Sequence, residues 1–288
     1  MSGPLLICTD LDRTLIPNGL QPESAGARHQ FAALVARPEV SLAYVSGRHS
    51  ALVQEAIANF GLPTPDFVVG DVGSTMYRVG PEQVWQRMAA WETEIGQDWA
   101  GCSHADLHDL LRDLPDLRPQ ESAQQNRFKL SFYVLLHSEH EALEAKIRDR
   151  LDPVRVKANL IWSVDDLKGI GLLDILPARA SKVHAVRALM NLRGFECART
   201  VFCGDSGNDM EVLGSSIPAV LVANAREDVR ESARRLADEK GHGDRLYCAR
   251  GGFMGMNGNY SAGILEGVAH FHPQTRDWMA FKTPGEGV

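Results

Sequence analysis

Two aspartates stand two positions apart near the start of the chain, in the segment Asp10–Thr14 (DLDRT). They follow the short apolar run Leu5–Thr9, which is typical of a buried strand. In an open parallel sheet, ligands bind at the carboxyl ends of the strands, so both carboxylates could reach one pocket from a tight loop. Such a pair could hold a metal ion or act on a bound substrate. The alternative is a turn that begins at Asp12, with Asp10 as a surface charge.

A second acidic motif, Gly204–Asp209 (GDSGND), follows the apolar run Val201–Cys203. Alone it could be a Gly/Asn turn with a helix cap, but together the two motifs place four carboxylates at neighbouring strand ends. Unpaired carboxylates in one cleft repel each other, and a hard dication relieves that repulsion. Mg²⁺ prefers few carboxylates, with water and a substrate phosphate completing its shell. The predicted metal-site residues are Asp10, Asp12 through its backbone carbonyl, Asp205 and, in an outer position, Asp209.

Two further motifs could bind an anion. Ser46, Gly47 and Arg48 follow a predicted strand, and a hydroxyl with backbone N–H groups at a turn leading toward a helix forms an anion cradle. Lys182 falls in the first turn of a predicted helix that Ser181 could cap, where a positive charge opposes the macrodipole. A lysine there is better explained if it points into an anionic site. The alternatives are an ordinary Ser-Gly turn and a solvated lysine.

These motifs lie on a chain in which short apolar runs alternate with helical patterns at both ends of the sequence. That alternation is typical of an α/β fold, here a Rossmann-like, doubly wound parallel sheet covered on both faces. The predicted strands are Leu5–Thr9, Ser41–Val45, Asp66–Gly70, Arg199–Cys203 and Ala219–Val222. The predicted helices are Ser24–Arg37, Ala51–Phe60, Lys182–Arg193, Asp209–Gly214 and Glu227–Asp238.

The alternation breaks between about Arg78 and Asp174. There an alternating stretch, a helix and two strand-like runs indicate an α+β insertion. These elements are Phe128–Leu136, Glu139–Leu151, Leu160–Val164 and Leu172–Leu176. We therefore predict a catalytic core formed by residues 1–79 and 177–288, with residues 80–176 as an inserted α+β cap domain.

Composition narrows the class of protein. The chain has 288 residues, of which 44% are hydrophobic, and a net charge of −7. This suits a sizeable globular core with no general attraction for nucleic acid or anionic membranes. No stretch approaches the ~18 apolar residues needed to span a bilayer. Because the five cysteines are scattered, we predict no disulfide scaffold and a reducing, cytoplasmic setting.

The order Asp10, Ser46, Lys182, Asp205, with an insertion between the second and third, resembles the haloacid dehalogenase superfamily. The position and size of the insertion are similar to the α/β cap of the subclass that acts on sugar phosphates. Several short segments carry a closer resemblance, to the sucrose-phosphate phosphatase family. These segments are Asp71–Ser74 with Tyr77, Lys129–Phe132, Asp174–Pro177, Asn224–Ala225, Ser261–Gly267 and Ala269–Phe271.

Two features depart from that family's pattern. Arg13 stands where a small or uncharged residue is usual, and we expect it to add a cation at the mouth of the phosphate site. The Gly/Met/Asn-rich stretch Gly251–Asn259 is longer than the family's corresponding loop, and we expect it to reshape the sugar pocket.

The resemblance implies roles for the candidate residues. Asp10 is expected to be the nucleophile, Asp12 the general acid and base, and Lys182 a cation that neutralises phosphoryl charge. The residues expected to bind the substrate are Ser46, Gly47, Arg48, Lys129 and Asn208. Of these, Asn208 is expected to orient Lys182 or a phosphate oxygen. Lys129 is expected to face the sugar, and its alternative is a solvated strand face.

The implied function is that of a Mg²⁺-dependent sugar-phosphate phosphatase, with sucrose 6-phosphate as the expected substrate. One alternative is another glycosyl phosphate, such as trehalose 6-phosphate, glucosylglycerol phosphate or mannosylfructose phosphate. Others are a sugar phosphomutase and a catalytically silent partner of a sugar-phosphate synthase. A synthase is the one expected protein partner, and the chain is expected to act as a monomer or a dimer.

Overall fold

The computed structural model describes residues 4–136, 139–165 and 169–279, so residues 1–3 and 280–288 of the predicted core lie outside it. The strands are β1 Leu5–Thr9, β2 Val40–Val45, β3 Phe67–Gly70, β4 Thr75–Val79, β5 Trp85–Arg87, β6 Arg118–Pro119, β7 Leu130–Val134, β8 Ala158–Asp165, β9 Ile170–Pro177, β10 Thr200–Gly204, β11 Ala219–Leu221 and β12 Leu246–Cys248.

Helices connect and cover these strands. They are α1 Ala27–Val35, α2 Ser50–Phe60, α3 Ala89–Gly96, α4 His104–Leu111, α5 His140–Leu151, α6 Lys182–Arg193, α7 Met210–Leu213, α8 Glu227–Glu239, α9 Ser261–Phe271 and α10 Arg276–Met279. None of the helices in the described ranges is both long and apolar enough to cross a membrane.

The larger sheet has eight strands in the order β12-β11-β10-β1-β2-β3-β4-β5. Neighbouring strands from β12 to β3 are parallel, whereas β4 and β5 pair antiparallel at one edge. In the buried strand β1, Leu5 and Ile7 pack in one hydrophobic cluster, while Leu6 and Cys8 pack in another. Both faces of the sheet are therefore covered, as a continuous apolar run predicts. The predicted α/β fold is confirmed.

The smaller sheet has four antiparallel strands in the order β6-β7-β9-β8. Its buried side chains, among them Leu130 and Leu173, pack in one hydrophobic cluster with residues of α3, α4 and α5. These strands and helices form the α+β insertion. Its predicted start at residue 80 falls inside the larger sheet, because Trp85–Arg87 pairs with β4 and extends that sheet. Three residues without a clear apolar alternation give no strand signal.

A tight turn, Asp71–Ser74, joins β3 to β4. Its first three residues have φ values of 51°, 59° and 102°, in the left-handed region that non-glycine residues rarely adopt. A Cβ at Gly73 would lie 2.8 Å from the backbone of Ser181, which immediately precedes α6. The Trp91 indole donates to the Gly73 carbonyl (2.9 Å), and the Asn126 side-chain amide donates to the Ser74 hydroxyl (3.0 Å). The turn therefore contacts both the insertion and the start of α6.

Candidate active site

Backbone hydrogen bonds hold Asp10 at the start of the loop that follows β1. Its N–H donates to the Cys203 carbonyl on the neighbouring strand (2.9 Å), and its Oδ1 accepts from the Leu11 N–H (2.8 Å). The Leu11 carbonyl in turn accepts the N–H groups of residues 14–16. This tight loop fixes the direction of the Asp10 carboxylate.

Lys182, the first residue of α6, reaches the same point from another element. Its Nζ lies 3.2 Å from Asp10 Oδ2 and donates to Asn208 Oδ1 (3.0 Å) and Asp209 Oδ1 (2.7 Å). Only 2% of its side chain is exposed, which excludes the solvated lysine considered above. Burial alone would lower the pKa of Lys182, but the charges of Asp10 and Asp209 outweigh it and raise that pKa. The amine is therefore a fixed cation.

The loop after β10 holds Asp209 by both of its oxygens. While Oδ1 accepts from Lys182, Oδ2 accepts from the N–H groups of Asp205 (3.1 Å) and Ser206 (3.2 Å). A Cβ at Gly204 would lie 2.5 Å from Asp209 Oδ2, so this close approach requires glycine. The protein engages both Asp209 oxygens, which suits the outer position predicted for this residue.

Three buried carboxylates, those of Asp10, Asp205 and Asp209, have ligand oxygens within 4.8 Å of one another. Burial raises the pKa of Asp10 to about 7 and that of Asp205 to about 6, the Asp209 charge adds to both shifts, and nearby cations oppose them only in part. Asp205 Oδ2 is buried and has no hydrogen-bond partner among the described residues, with Arg13 Nε 3.5 Å away. An all-oxygen donor set with excess negative charge and an unpartnered oxygen fits Mg²⁺.

Asp12 contributes no side-chain oxygen to this carboxylate cluster. Its Oδ2 accepts from Arg48 Nε (2.7 Å), and its Oδ1 accepts from Arg48 Nη2 (2.6 Å) and from Asn18 Nδ2 (2.7 Å). Burial would raise the pKa of Asp12, but the bonds and charge of Arg48, with the Asn18 bond, outweigh it and hold that pKa below its ordinary value. The donors around Asp12 therefore favour its carboxylate form.

The predicted anion cradle lies at the end of β2. Ser46 is buried, and its Oγ accepts from the Arg48 N–H (3.2 Å). A Cβ at Gly47 would have only Val72 within 4 Å, so the backbone at this turn is open to a ligand. Because the Arg48 guanidinium is paired with Asp12, its contact with substrate stays a prediction.

A second polar cluster, which we call the Lys129 cluster, joins the two sheets. Lys129 Nζ lies 3.4 Å from Asp174 Oδ2 on β9 and 3.9 Å from Asp71 Oδ1 in the turn after β3. Hydroxyls complete it, because Ser131 Oγ donates to Asp174 Oδ1 (2.6 Å) and Thr75 Oγ1 donates to Asp71 Oδ2 (3.0 Å). The Lys129 side chain is only 6% exposed, which excludes the solvated strand face.

Sequence reasoning missed three residues that organise the site. Thr14 Oγ1 donates to Asp205 Oδ1 (3.2 Å), and Asn224 Nδ2 donates to the Arg13 carbonyl (2.6 Å). The third is Asn18, which binds Asp12. The sequence signalled Thr14 and Asn224 only by placing them in the segments Asp10–Thr14 and Asn224–Ala225. Asn18 precedes a glycine, and such a pair is typical of an ordinary turn.

Residues 3–272 of the chain match the family model described as sucrose-6F-phosphate phosphohydrolase. The chain belongs to this family. The match confirms the predicted resemblance to the sucrose-phosphatase group of haloacid dehalogenase hydrolases, which are phosphatases that hydrolyse phosphomonoesters.

Individual proteins support this membership. A putative HAD-like hydrolase of Nitrosococcus oceani is 53% identical over 280 residues, covering 97% of this chain and 75% of its own length. Sucrose-phosphatase 1 of Nicotiana tabacum is 27% identical over 281 residues, and the match spans 93% of this chain but only 59% of the tobacco protein.

The sucrose-phosphatase of Synechocystis sp. PCC6803, solved in complex with sucrose and phosphate, gives a structural match. It superposes with a TM-score of 0.70 at 25% identity, over 94% of this chain and 98% of that one. The agreement covers the insertion as well as the larger sheet, which confirms the core-with-cap architecture.

Proposed function

We propose that this protein is a Mg²⁺-dependent phosphatase that hydrolyses sucrose 6-phosphate to sucrose and phosphate through an aspartyl-phosphate on Asp10. The observation that carries the proposal is the buried ion pair of Asp10 Oδ2 with Lys182 Nζ (3.2 Å), beside two further buried carboxylates. This arrangement offers a nucleophile and a fixed cation at one point of the sheet edge. The match to the sucrose-6F-phosphate phosphohydrolase family supports the choice of substrate.

In the first step, the Asp10 carboxylate attacks phosphorus and the bond from phosphorus to the sugar oxygen breaks. A sugar alkoxide is a poor leaving group, so Asp12, after it separates from Arg48 and takes up a proton, donates that proton to the sugar oxygen. In the second step, Asp12 takes a proton from water, and the resulting hydroxide attacks the aspartyl-phosphate. Phosphate leaves and the Asp10 carboxylate is restored. Dividing the displacement in this way replaces one difficult step by two easier ones.

Phosphoryl transfer depends mainly on positioning and on neutralisation of charge. Lys182 supplies a buried positive charge, while Ser46 and the N–H groups of its turn supply donors for phosphate oxygens. Asp10, Asp205 and the Asp12 carbonyl are the groups that would hold Mg²⁺. When bound, the ion would shield the phosphate from the carboxylate that attacks it.

The Lys129 cluster is our candidate for binding the sugar. Its one amine, two carboxylates and two hydroxyls offer both donors and acceptors, which sugar hydroxyls require. Among the residues described, the carboxylates nearest to Lys129 Nζ lie 3.4 Å and 3.9 Å away, which leaves room for the amine to donate to a ligand. We further propose a cytoplasmic enzyme supplied with substrate by a sugar-phosphate synthase, acting as a monomer or a dimer.

The proposal is tested by measuring phosphate release from a panel of sugar phosphates with Mg²⁺. We expect the highest kcat/KM for sucrose 6-phosphate, ahead of trehalose 6-phosphate, glucosylglycerol phosphate and mannosylfructose phosphate. A higher value for another member would replace the substrate but keep the reaction. Turnover that survives EDTA would contradict the role of the metal ion. A requirement for added sugar bisphosphate would favour a phosphomutase, and no turnover at all would favour a silent binding partner.

A further inference from the structure

The Asn18 side chain makes two hydrogen bonds, one to Asp12, the proposed acid–base residue, and one to the backbone of Arg13. Its Nδ2 donates to Asp12 Oδ1 (2.7 Å), and its Oδ1 accepts from the Arg13 N–H (2.8 Å). A carboxylate can only accept and a backbone N–H can only donate, so the two partners leave the amide one orientation. If the amide were reversed, its oxygen would face the Asp12 carboxylate and its NH₂ group would face the Arg13 N–H. The side chain is thus held in a single arrangement although Asn18 itself is exposed.

The loop that carries Asn18 is anchored elsewhere as well. The Tyr260 hydroxyl donates to the Gln21 carbonyl (3.1 Å), and the Pro22 carbonyl accepts from the side-chain amides of Asn257 (2.9 Å) and Asn259 (3.0 Å). These three hydrogen bonds anchor the loop without Asn18, so the Asn18 bonds are available for another task. The same contacts show that the Gly251–Asn259 stretch lies against the loop next to Asp12.

We propose that Asn18 is a positioning residue that orients Asp12 for proton transfer to and from the substrate, an inference that rests on the proposed function. Among the residues that the structure describes, Asp12 Oδ1 accepts from both Asn18 and Arg48, whereas Oδ2 accepts from Arg48 alone. When Arg48 separates from Asp12, Oδ2 therefore becomes free, while Oδ1 still accepts the hydrogen bond from Asn18. Oδ2 is then the oxygen that carries the proton to the sugar oxygen in the first step and accepts one from water in the second.

The test compares two substrates that differ in how much the leaving group needs a proton. In Asn18→Ala, kcat for the preferred sugar phosphate should fall by ~10- to 100-fold, the range expected when a hydrogen bond to a charged group is lost. Release of p-nitrophenolate from p-nitrophenyl phosphate, which needs no acid, should change by less than about 3-fold in a single-turnover burst. KM for the sugar phosphate should stay unchanged, because Asn18 acts on the acid and not on the sugar.

Two further variants separate positioning from loop structure. Asn18→Asp keeps the acceptor for the Arg13 N–H but loses the donor to Asp12, so it should show the same selective loss as Asn18→Ala. Tyr260→Phe removes the hydroxyl that anchors the same loop at the Gln21 carbonyl and does not touch Asp12, so it should affect neither substrate selectively. Equal slowing of both substrates by the Asn18 variants, or a selective loss in Tyr260→Phe, would overturn the proposal.

A double-mutant cycle gives the strictest test. If Asn18 works only through Asp12, then Asn18→Ala should cause no further loss in an Asp12→Ala background. Additive losses would show that Asn18 acts independently and would overturn the inference. Failure of the proposed function is recognised separately, because the wild type would then release no phosphate or Asp10→Asn would leave hydrolysis of both substrates intact.

Discussion

The two polar sites of this protein are built differently, although both contain lysine between aspartates. The first, which we call the strand-end site, contains Asp10, Lys182 and Asp209. Backbone N–H groups there hold Asp10 Oδ1 (2.8 Å) and Asp209 Oδ2 (3.1 Å and 3.2 Å). In the Lys129 cluster, side chains bind side chains across two sheets, and Lys129 Nζ lies 3.4 Å and 3.9 Å from its carboxylates. The first site is fixed by one sheet, while the second depends on how the two sheets meet.

This difference indicates a division of labour. A site fixed by the backbone of one sheet suits chemistry that must be the same for every substrate, because misplacement by about 1 Å can cost ~10²-fold in rate. A site made of side chains between two sheets can be changed without disturbing that chemistry. Changes to Asp10, Lys182 or Asp209 should therefore slow all phosphomonoesters, and changes in the Lys129 cluster should slow only those that carry the sugar.

The largest effect should come from removing the nucleophile. Asp10→Asn should reduce kcat by ~10⁴-fold or more for sucrose 6-phosphate and for p-nitrophenyl phosphate alike, because an amide does not form the covalent intermediate. Steady-state kinetics measures the loss, and intact-mass spectrometry of the wild type during turnover should show a phosphorylated protein. Residual activity that depends on the leaving group would contradict the division drawn above.

A smaller effect on the same site should follow from Gly204→Ala. The new Cβ would lie 2.5 Å from Asp209 Oδ2, which forces Asp209 away from Lys182 and should slow both substrates by ~10²-fold. Gly207→Ala is the matched control, because a Cβ there has no atom within 4 Å. Circular dichroism verifies folding. Normal kinetics in Gly204→Ala would show that the position of Asp209 does not matter.

The smallest and most selective effect should come from Lys129→Met, which keeps the apolar stem and removes the charge. We expect kcat/KM for the sugar phosphate to fall by ~10- to 100-fold, mainly through KM, with p-nitrophenyl phosphate unaffected. Lys146→Met, at an exposed lysine paired with Asp116 on the insertion, should change neither substrate. If Lys129→Met slowed both substrates equally, the cluster would belong to the chemistry and the comparison would fail.

The strand-end site could be predicted from the sequence because its parts are local. Short apolar runs place β1 and β10 correctly, the helix predicted over Lys182–Arg193 is the one observed, and parallel strands bring their carboxyl ends to one edge. Lys182 at a helix start was a useful signal because its charge conflicts with the macrodipole there. Each inference needed only the residues adjacent in sequence.

The remaining features depend on contacts between distant segments, which local patterns do not encode. The pairing of Lys129 with Asp71 requires knowing how the insertion sits on the larger sheet. Arg48 was assigned to the substrate because of its turn, and nothing nearby in sequence signals its bidentate bond to Asp12. Strand β4 was missed because Thr75–Val79 (TMYRV) mixes polar and apolar residues without a regular alternation.

The turn at Asp71–Ser74 has a mechanical consequence. It is wedged between the inserted segment, through Trp91 and Asn126, and the backbone of Ser181 at the head of α6. If the insertion moves to admit a substrate, this turn transmits the movement to Ser181, the residue that precedes Lys182. The placement of the insertion and the position of Lys182 are then coupled through this one turn.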